Sequence, residues 1–229
     1  MIKLIQAEPF NDTVGLRRSL IDTCISLSRI GFFIGTWGNI GVRVKDGVLV
    51  TPSRVDFEEM KEDDLVIVNW EGEKILGHRI PSSEMQVHRL VLKKRKDFGV
   101  CIHGHGLKTS AFACAHKSLP VIIEDMAQII GGEVSCSKYV QGGSHLELGM
   151  AAAEAFGEVS AAVFLANHGV VVGSRDLDEG LIAVQVLEKA AGIYLDACVL
   201  DKVRPIKPEK VLDERERFIF RYGTEKDNI

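Results

Sequence analysis

Long apolar runs are missing from this chain: nothing in its 229 residues approaches the roughly 18 consecutive apolar positions of a membrane-spanning helix. The opening stretch "MIKLIQAEPFNDTV" has early acidic residues and no apolar block, so neither a signal peptide nor an anchor is expected there. A positive charge surplus is also absent. Lys and Arg number 28 against 32 Asp and Glu, a net charge of −4, which excludes the basic field that nucleic-acid binding needs. The five cysteines (Cys24, Cys101, Cys114, Cys136, Cys198) are odd in number and never form a C-x-x-C pair. They read as reduced thiols of a cytoplasmic protein rather than a disulfide framework or cysteine zinc site. Repeats, low-complexity tracts and linker-like segments are lacking too. Residues 1–229 are therefore expected to form a single domain, with 205–229 as a charged C-terminal tail.

What is present is a 46% hydrophobic composition, ample for a core. Asn11 or Asp12 is expected to cap a first helix running to Gly31. "NIGVRVKDGVLVTP" alternates around Asp46-Gly47, and "DLVIVNWEGEKIL" around Glu71-Gly72, predicting two hairpins. Pro81-Ser82-Ser83 opens a helix to about Lys94, "FGVCIHGH" is a strand and "KTSAFACAH" a helix. "LELGMAAAEAFG" is a helix, "AAVFLANHGVVVG" a strand pair or a bent strand, and "DEGLIAVQVLEKAAGIYLDACVL" a helix of about six turns. Hairpins early and alternating elements later predict an α/β, three-layer αβα fold with a mixed, mostly antiparallel sheet flanked by helices.

Histidines carry the chemistry. His103 and His105 lie one residue apart, and on a strand such residues share a face with Cα atoms about 7 Å apart. They read either as two ligands aimed at one metal ion or as polar residues satisfied by carbonyls. His168, in "FLANHGVVVG", supplies a third imidazole in a similar setting, enough for a Zn²⁺ site with an open position. Cys101 shares the face of His103 but reads as core packing, and His78, His116 and His145 read as surface residues.

Glu84 has two readings as well. The first helical turn favours a carboxylate, and Ser83 with Gln86 makes a capping box. Yet Ser82 and Ser83 at a helix N-terminus also suit a phosphate, and His88, one turn on, either orients Glu84 or packs beside it. The glycine-rich "IGTWGNIGVRV" adds Thr36 and Asn39 in a tight turn able to donate amides to phosphate.

Four motifs in order, Gly35-Thr36-Trp37-Gly38-Asn39, Pro81 to Glu84, His103-x-His105 and Asn167-His168-Gly169, resemble the class II aldolase/adducin family over roughly residues 12 to 200. The branch that cleaves L-fuculose 1-phosphate is most similar. The resemblance implies one Zn²⁺ per subunit held by His103, His105 and His168, with Glu84 as a further ligand that shifts to act as acid/base. It implies phosphate contacts from Asn39, Ser82 and Ser83, and a proton-handling tyrosine that matches Tyr222 in the tail. Thr36 and Ser53 are candidates beside them, and Arg54 either adds a charge-assisted contact to phosphate or points away and caps the loop. The implied reaction cleaves a small ketose 1-phosphate to dihydroxyacetone phosphate and an aldehyde through a metal-stabilised enediolate. The implied assembly is a homotetramer with active sites at subunit boundaries.

Two positions depart from the pattern. Ser53 is followed by Arg54 where the aldolases carry glycine, and Gly41 stands where a serine is common. Three other readings accompany the aldolase. A pentulose-5-phosphate 4-epimerase needs an aspartate where Gln128 aligns, with Asp125 close by. A methylthioribulose-1-phosphate dehydratase belongs to the same family. An adducin-like binding module would lose the zinc ligands, all of which are present here.

Overall fold

The computed structural model describes residues 5–224. Its strands are β1 (Asn39–Val44), β2 (Gly47–Val50), β3 (Val66–Asn69), β4 (Lys74–Leu76), β5 (Val100–Gly104), β6 (Ser135–Cys136), β7 (Ala162–Leu165) and β8 (Gly169–Ser174). They form one sheet in the order β4-β3-β2-β1-β5-β8-β7-β6, antiparallel throughout except for the parallel pair β6–β7. The helices are α1 (Val14–Arg29), α2 (Met85–Lys94), α3 (Leu107–Ala115), α4 (Glu124–Ile129), α5 (His145–Ala155), α6 (Leu177–Leu200) and α7 (Pro208–Phe220). The α/β three-layer expectation holds.

Period-2 alternation explains the layers, because successive strand residues point to opposite faces. On β5, Val100 and Ile102 join a core with Leu20, Phe112 and Leu187 from α1, α3 and α6. Cys101 points the other way, into a second core with Val91 of α2 and Leu148 of α5. His103 shares the face of Cys101, so strand parity alone sends it toward α2. Cys101 is fully buried core, as expected, and burial pushes its thiol up. All five cysteines are free. Among the described residues no helix is long and apolar enough to cross a membrane.

Several local expectations need correction. The cap of α1 is Thr13, whose hydroxyl accepts from the Leu16 amide at 3.1 Å, while Asp12 instead pairs with Arg17 at 2.7 Å. Val44 pairs with Gly47, so the first hairpin turns at Lys45-Asp46, one residue earlier than expected. The tail contains α7, an amphipathic helix that its charged residues conceal. Pro208 fits its first turn, and buried Val211 and Arg215 tie it down, Arg215 donating to the Ile129 carbonyl of α4 at 2.8 Å.

Arg43 fixes α2. Buried on β1, it donates to the carbonyls of Phe98 (2.9 Å), Arg95 (3.1 Å) and Leu92, at or just beyond the C-terminal end of α2. The Arg95 carbonyl also accepts from the Phe98 amide at 3.2 Å, while the guanidinium satisfies helix-end carbonyls that the α-helical pattern leaves over. With its far end pinned, α2 delivers its N-terminus to the sheet edge where β5 ends.

Candidate metal centre and anion pocket

Three segments converge at one end of the sheet. β5 delivers His103; it ends at Gly104, so His105 lies just beyond the strand, its amide bonded to the Phe32 carbonyl at 3.1 Å. The turn from β7 to β8 delivers His168. This turn needs a left-handed residue, supplied by Asn167 at φ 55°. A Cβ on Gly169 would stand 2.5 Å from the Gly104 carbonyl oxygen, so glycine lets the two histidine-bearing segments close up.

The rings of His103 and His168 have centroids 5.0 Å apart, those of His103 and His105 4.9 Å, and those of His105 and His168 5.5 Å. Their ligand nitrogens all lie within 4.8 Å of one another. His103 Nδ1 is 2.9 Å from the Val170 carbonyl, which only accepts, so Nδ1 carries hydrogen. Its Nε2, buried and 3.3 Å from Glu84 Oε2, presents a lone pair toward the other histidines when the ring is neutral and a hydrogen toward that carboxylate when the ring is charged. A carbonyl behind one ring nitrogen and a lone pair in front is the usual arrangement of a metal-ligating histidine. The donor set fits a divalent ion.

Glu84 faces this triad. It occupies the N-cap position of α2 but makes no side-chain cap bond. The expected Ser83–Gln86 capping box is absent, since the Gln86 side-chain oxygen Oε1 accepts from Arg89 Nε at 2.7 Å instead. Glu84 Oε1 lies 2.9 Å from His168 Nε2 and Oε2 3.3 Å from His103 Nε2, and Asn39 Nδ2 donates to Oε2 at 2.8 Å. Burial alone would raise this carboxyl. The charge and hydrogen bond of His103, with the bonds from His168 and Asn39, outweigh it and hold Glu84 well below the usual carboxylate range. His105 shifts down to about 4, through burial first and then the neighbouring charges of His103 and His168.

Beside Glu84 opens a cavity of about 870 Å³, lined by Thr36, Trp37, Gly38, Asn39, Pro52, Ser53, Arg54, His78, Arg79, Ile80, Ser82, Ser83, Glu84, His105 and His168. Backbone pairing assembles one of its walls: Ser53 N donates to Ile80 O and Ser82 N to Thr51 O, both at 3.0 Å. Ser53 and Arg54 thereby stand beside Ser82 and Ser83. Arg54 holds a left-handed φ of 60° and is exposed, with no carboxylate paired to it among the described residues. Arg79, by contrast, is neutralised by Asp64 at 2.7 Å.

The structure thus brings together Thr36, Asn39, Ser53, Arg54, Ser82, Ser83, Glu84, His103, His105 and His168. It does not bring Tyr222 to them. Arg215 and Ile219 of α7 line a crevice with Ser174, at the end of β8 remote from His168, and Tyr222 follows shortly after, exposed and against Phe218. Asp125 pairs with Lys189, and Gln128 donates to Glu214 at 3.0 Å; neither lines the cavity.

Two histidines read as surface residues have roles here: His78 lines the cavity, and His116 bonds Asn167 Oδ1 at 2.6 Å, steadying the turn that carries His168. Glu188 of α6 was not singled out by the sequence. It accepts from the Lys108 and Thr109 amides at 3.0 and 2.9 Å, capping α3 just after His105. A glutamate this distant in sequence leaves no local signal.

Comparison with known proteins agrees with this arrangement. The family model "Class II Aldolase and Adducin N-terminal domain" matches residues 18–195. The L-fuculose phosphate aldolase of Escherichia coli K12 is 30% identical over 204 residues, covering 89% of this chain and 94% of that protein. A 5-methylthioribulose-1-phosphate/5-deoxyribulose-1-phosphate aldolase of Rhodospirillum rubrum is 32% identical over 216 residues, 94% of each. A solved L-fuculose 1-phosphate aldolase superposes with a TM-score of 0.85 at 31% identity, covering 91% of this chain and 98% of that one.

Proposed function

Since the chain belongs to the class II aldolase and adducin family, we propose that it is a zinc-dependent aldolase reversibly cleaving a small ketose 1-phosphate, L-fuculose 1-phosphate-like, to dihydroxyacetone phosphate and an aldehyde. The observation that carries this reading is the meeting of Glu84 with His103 and His168 beside a pocket of hydroxyls and the Arg54 guanidinium. Zn²⁺ held by His103, His105 and His168, with Glu84 as a further ligand, would supply Lewis-acid polarisation of the ketose carbonyl.

The chain's own residues do the rest. Ser82, Ser83, Thr36 and Ser53 offer hydroxyls to the phosphate, Asn39 its second amide hydrogen, and Arg54 a charge-assisted contact. Fixing the phosphate, remote from the breaking C3–C4 bond, orients the substrate along the path to Glu84. In synthesis the ionised Glu84 removes a proton from C3 of dihydroxyacetone phosphate. Cleavage runs this in reverse, the proton released from the C4 hydroxyl to solvent being balanced by one that Glu84 takes up and delivers to C3 of the three-carbon enediolate. Tyr222 belongs to the cavity of a neighbouring subunit in a cytoplasmic homotetramer, where it handles the C4 hydroxyl proton. In this reading residues 1–229 are one catalytic domain whose tail completes another subunit's site.

Substrate identity is tested by incubating the zinc-loaded protein with ketose 1-phosphates, 5-deoxy and 5-methylthio pentuloses included, and pentulose 5-phosphates. Release of dihydroxyacetone phosphate from a 1-phosphate is expected. Interconversion of 5-phosphates without release would make the enzyme an epimerase, and loss of water from a 1-phosphate without carbon–carbon cleavage a dehydratase. No zinc and no turnover would make it a binding module.

A further inference from the structure

His88 lies on α2 one turn beyond Glu84, fully buried and outside the lining of the cavity. Its Nε2 is 2.5 Å from Asn39 Oδ1, and Asn39 Nδ2 is 2.8 Å from Glu84 Oε2. The chemistry of the three groups settles which way each hydrogen points. An ionised carboxylate only accepts, so the amide nitrogen of Asn39 must face Glu84. The amide oxygen then faces His88, and because it too only accepts, His88 Nε2 must carry the hydrogen. Only a donor at that point excludes the flipped amide, which would set an oxygen against the Glu84 carboxylate.

Backbone pairing locks the rest. Asn39 is the register partner of His103 across β1 and β5, so the amide rises from the same rung as a proposed metal ligand. Gly41, on the same face of β1, leaves room for the imidazole: a Cβ there would fall 2.5 Å from His88 Cβ and 2.7 Å from its Cγ. The departure from serine at position 41 and the histidine at position 88 are thus two sides of one packing arrangement.

We infer that His88 is a positioning residue for Glu84, fixing the Asn39 amide so that it holds one carboxylate oxygen and leaves the other toward the reacting carbon. The inference rests on the acid/base reading of Glu84.

The test uses zinc-loaded full-length protein in deuterated water with dihydroxyacetone phosphate alone, whose hydroxymethyl proton exchange reads Glu84 without an aldehyde. His88→Leu, which removes the donor, is expected to slow exchange and kcat by about 10- to 100-fold, the usual scale for outer-shell partners, with zinc content and KM nearly unchanged. His88→Gln restores a donor near the Nε2 position and is expected to recover most of the rate. Should His88→Leu fail to fold, Gly41→Ala displaces the ring with the imidazole retained and is expected to slow the same exchange. Independently of activity, ¹⁵N NMR of the metal-free protein is expected to show His88 as the Nε2–H tautomer, its signal assigned by its absence in His88→Gln. Unchanged exchange in His88→Leu, or the Nδ1–H tautomer, overturns the inference. Glu84→Gln separates the two levels. If it exchanges normally, the acid/base reading itself falls. If it is inert while His88→Leu is normal, only the positioning role falls.

Discussion

His168 Nε2 lies 2.9 Å from Glu84 Oε1, joining the turn between β7 and β8 to the residue that precedes α2. This contact places a carboxylate held in its ionised form against the imidazoles proposed to hold zinc. A proton acceptor is thereby set next to a Lewis-acid site, the pairing that removal of a proton beside a carbonyl demands. Glu84→Gln leaves the three histidines in place, so zinc content is expected to stay near one per chain. Its kcat should fall by about 10²- to 10⁴-fold, the range for a lost general acid/base. Metal analysis and steady-state rates on the same preparation check both halves, and a near-normal kcat contradicts the assignment.

Arg54 trades backbone strain for charge. A non-glycine residue in the left-handed region costs on the order of 1–2 kcal/mol, and Arg54 adopts it at the pocket wall with φ 60°. Arg54→Gly is expected to leave the melting temperature unchanged or raise it, while KM for the phosphorylated substrate rises roughly tenfold. That corresponds to about 1.4 kcal/mol, the low end for a charged hydrogen bond because Arg54 is exposed. Thermal denaturation and KM at two ionic strengths check it. A lower melting temperature with unchanged KM would show the residue to be structural.

Glu188 caps α3 from a distance. Both carboxylate oxygens accept amides of its first turn, and Thr109 Oγ1 donates at 2.5 Å. Glu188→Ala is expected to cost about 1–2 kcal/mol, as for a lost helix cap. Because α3 starts two residues after His105, zinc affinity should weaken with it. Urea denaturation of the metal-free protein and chelator competition measure the two effects. Lost stability with unchanged zinc affinity would uncouple the cap from the metal centre.

His88 gives a pH signature. Burial, then the charge of His103, push it down to about 3, only partly offset by Glu84. In the unfolded chain its value is near 6.5, so between about pH 6.5 and 3 the unfolded state binds the extra proton. The stability contributed by this depressed group is complete above about pH 6.5 and drains away as pH falls toward 3. His88→Gln cannot titrate. The stability difference between wild type and variant, both metal-free, should therefore shrink on acidification by up to about 1.4 kcal/mol per pH unit. Urea titrations at pH 7.5 and 5 read it, and a pH-independent difference contradicts a buried neutral imidazole.

Much of this architecture was legible because it is written in local periodicity. The alternation in "FGVCIHGH" placed His103 and Cys101 on one face, and the structure sends that face to α2. The motifs holding Asn39, Ser82 to Glu84 and the three histidines were readable for the same reason: each is a short segment with its own turn chemistry. What escaped was set by distant partners. Glu84 reads as an ordinary first-turn carboxylate beside a Ser83–Gln86 capping box until Asn39 and His168 engage it, and only the tertiary fold brings those residues near. α7 was concealed because two buried side chains, Val211 and Arg215, anchor an otherwise charged helix. Glu188 and His116 lacked any signal because their partners lie on other elements.

The most direct test of the account is dihydroxyacetone phosphate release from the best ketose 1-phosphate before chelation, after it, and after zinc is restored. Release that disappears with the metal and returns at about one zinc per chain, but not in His103→Ala, is the expected result. Release that persists in the metal-free protein would contradict the account.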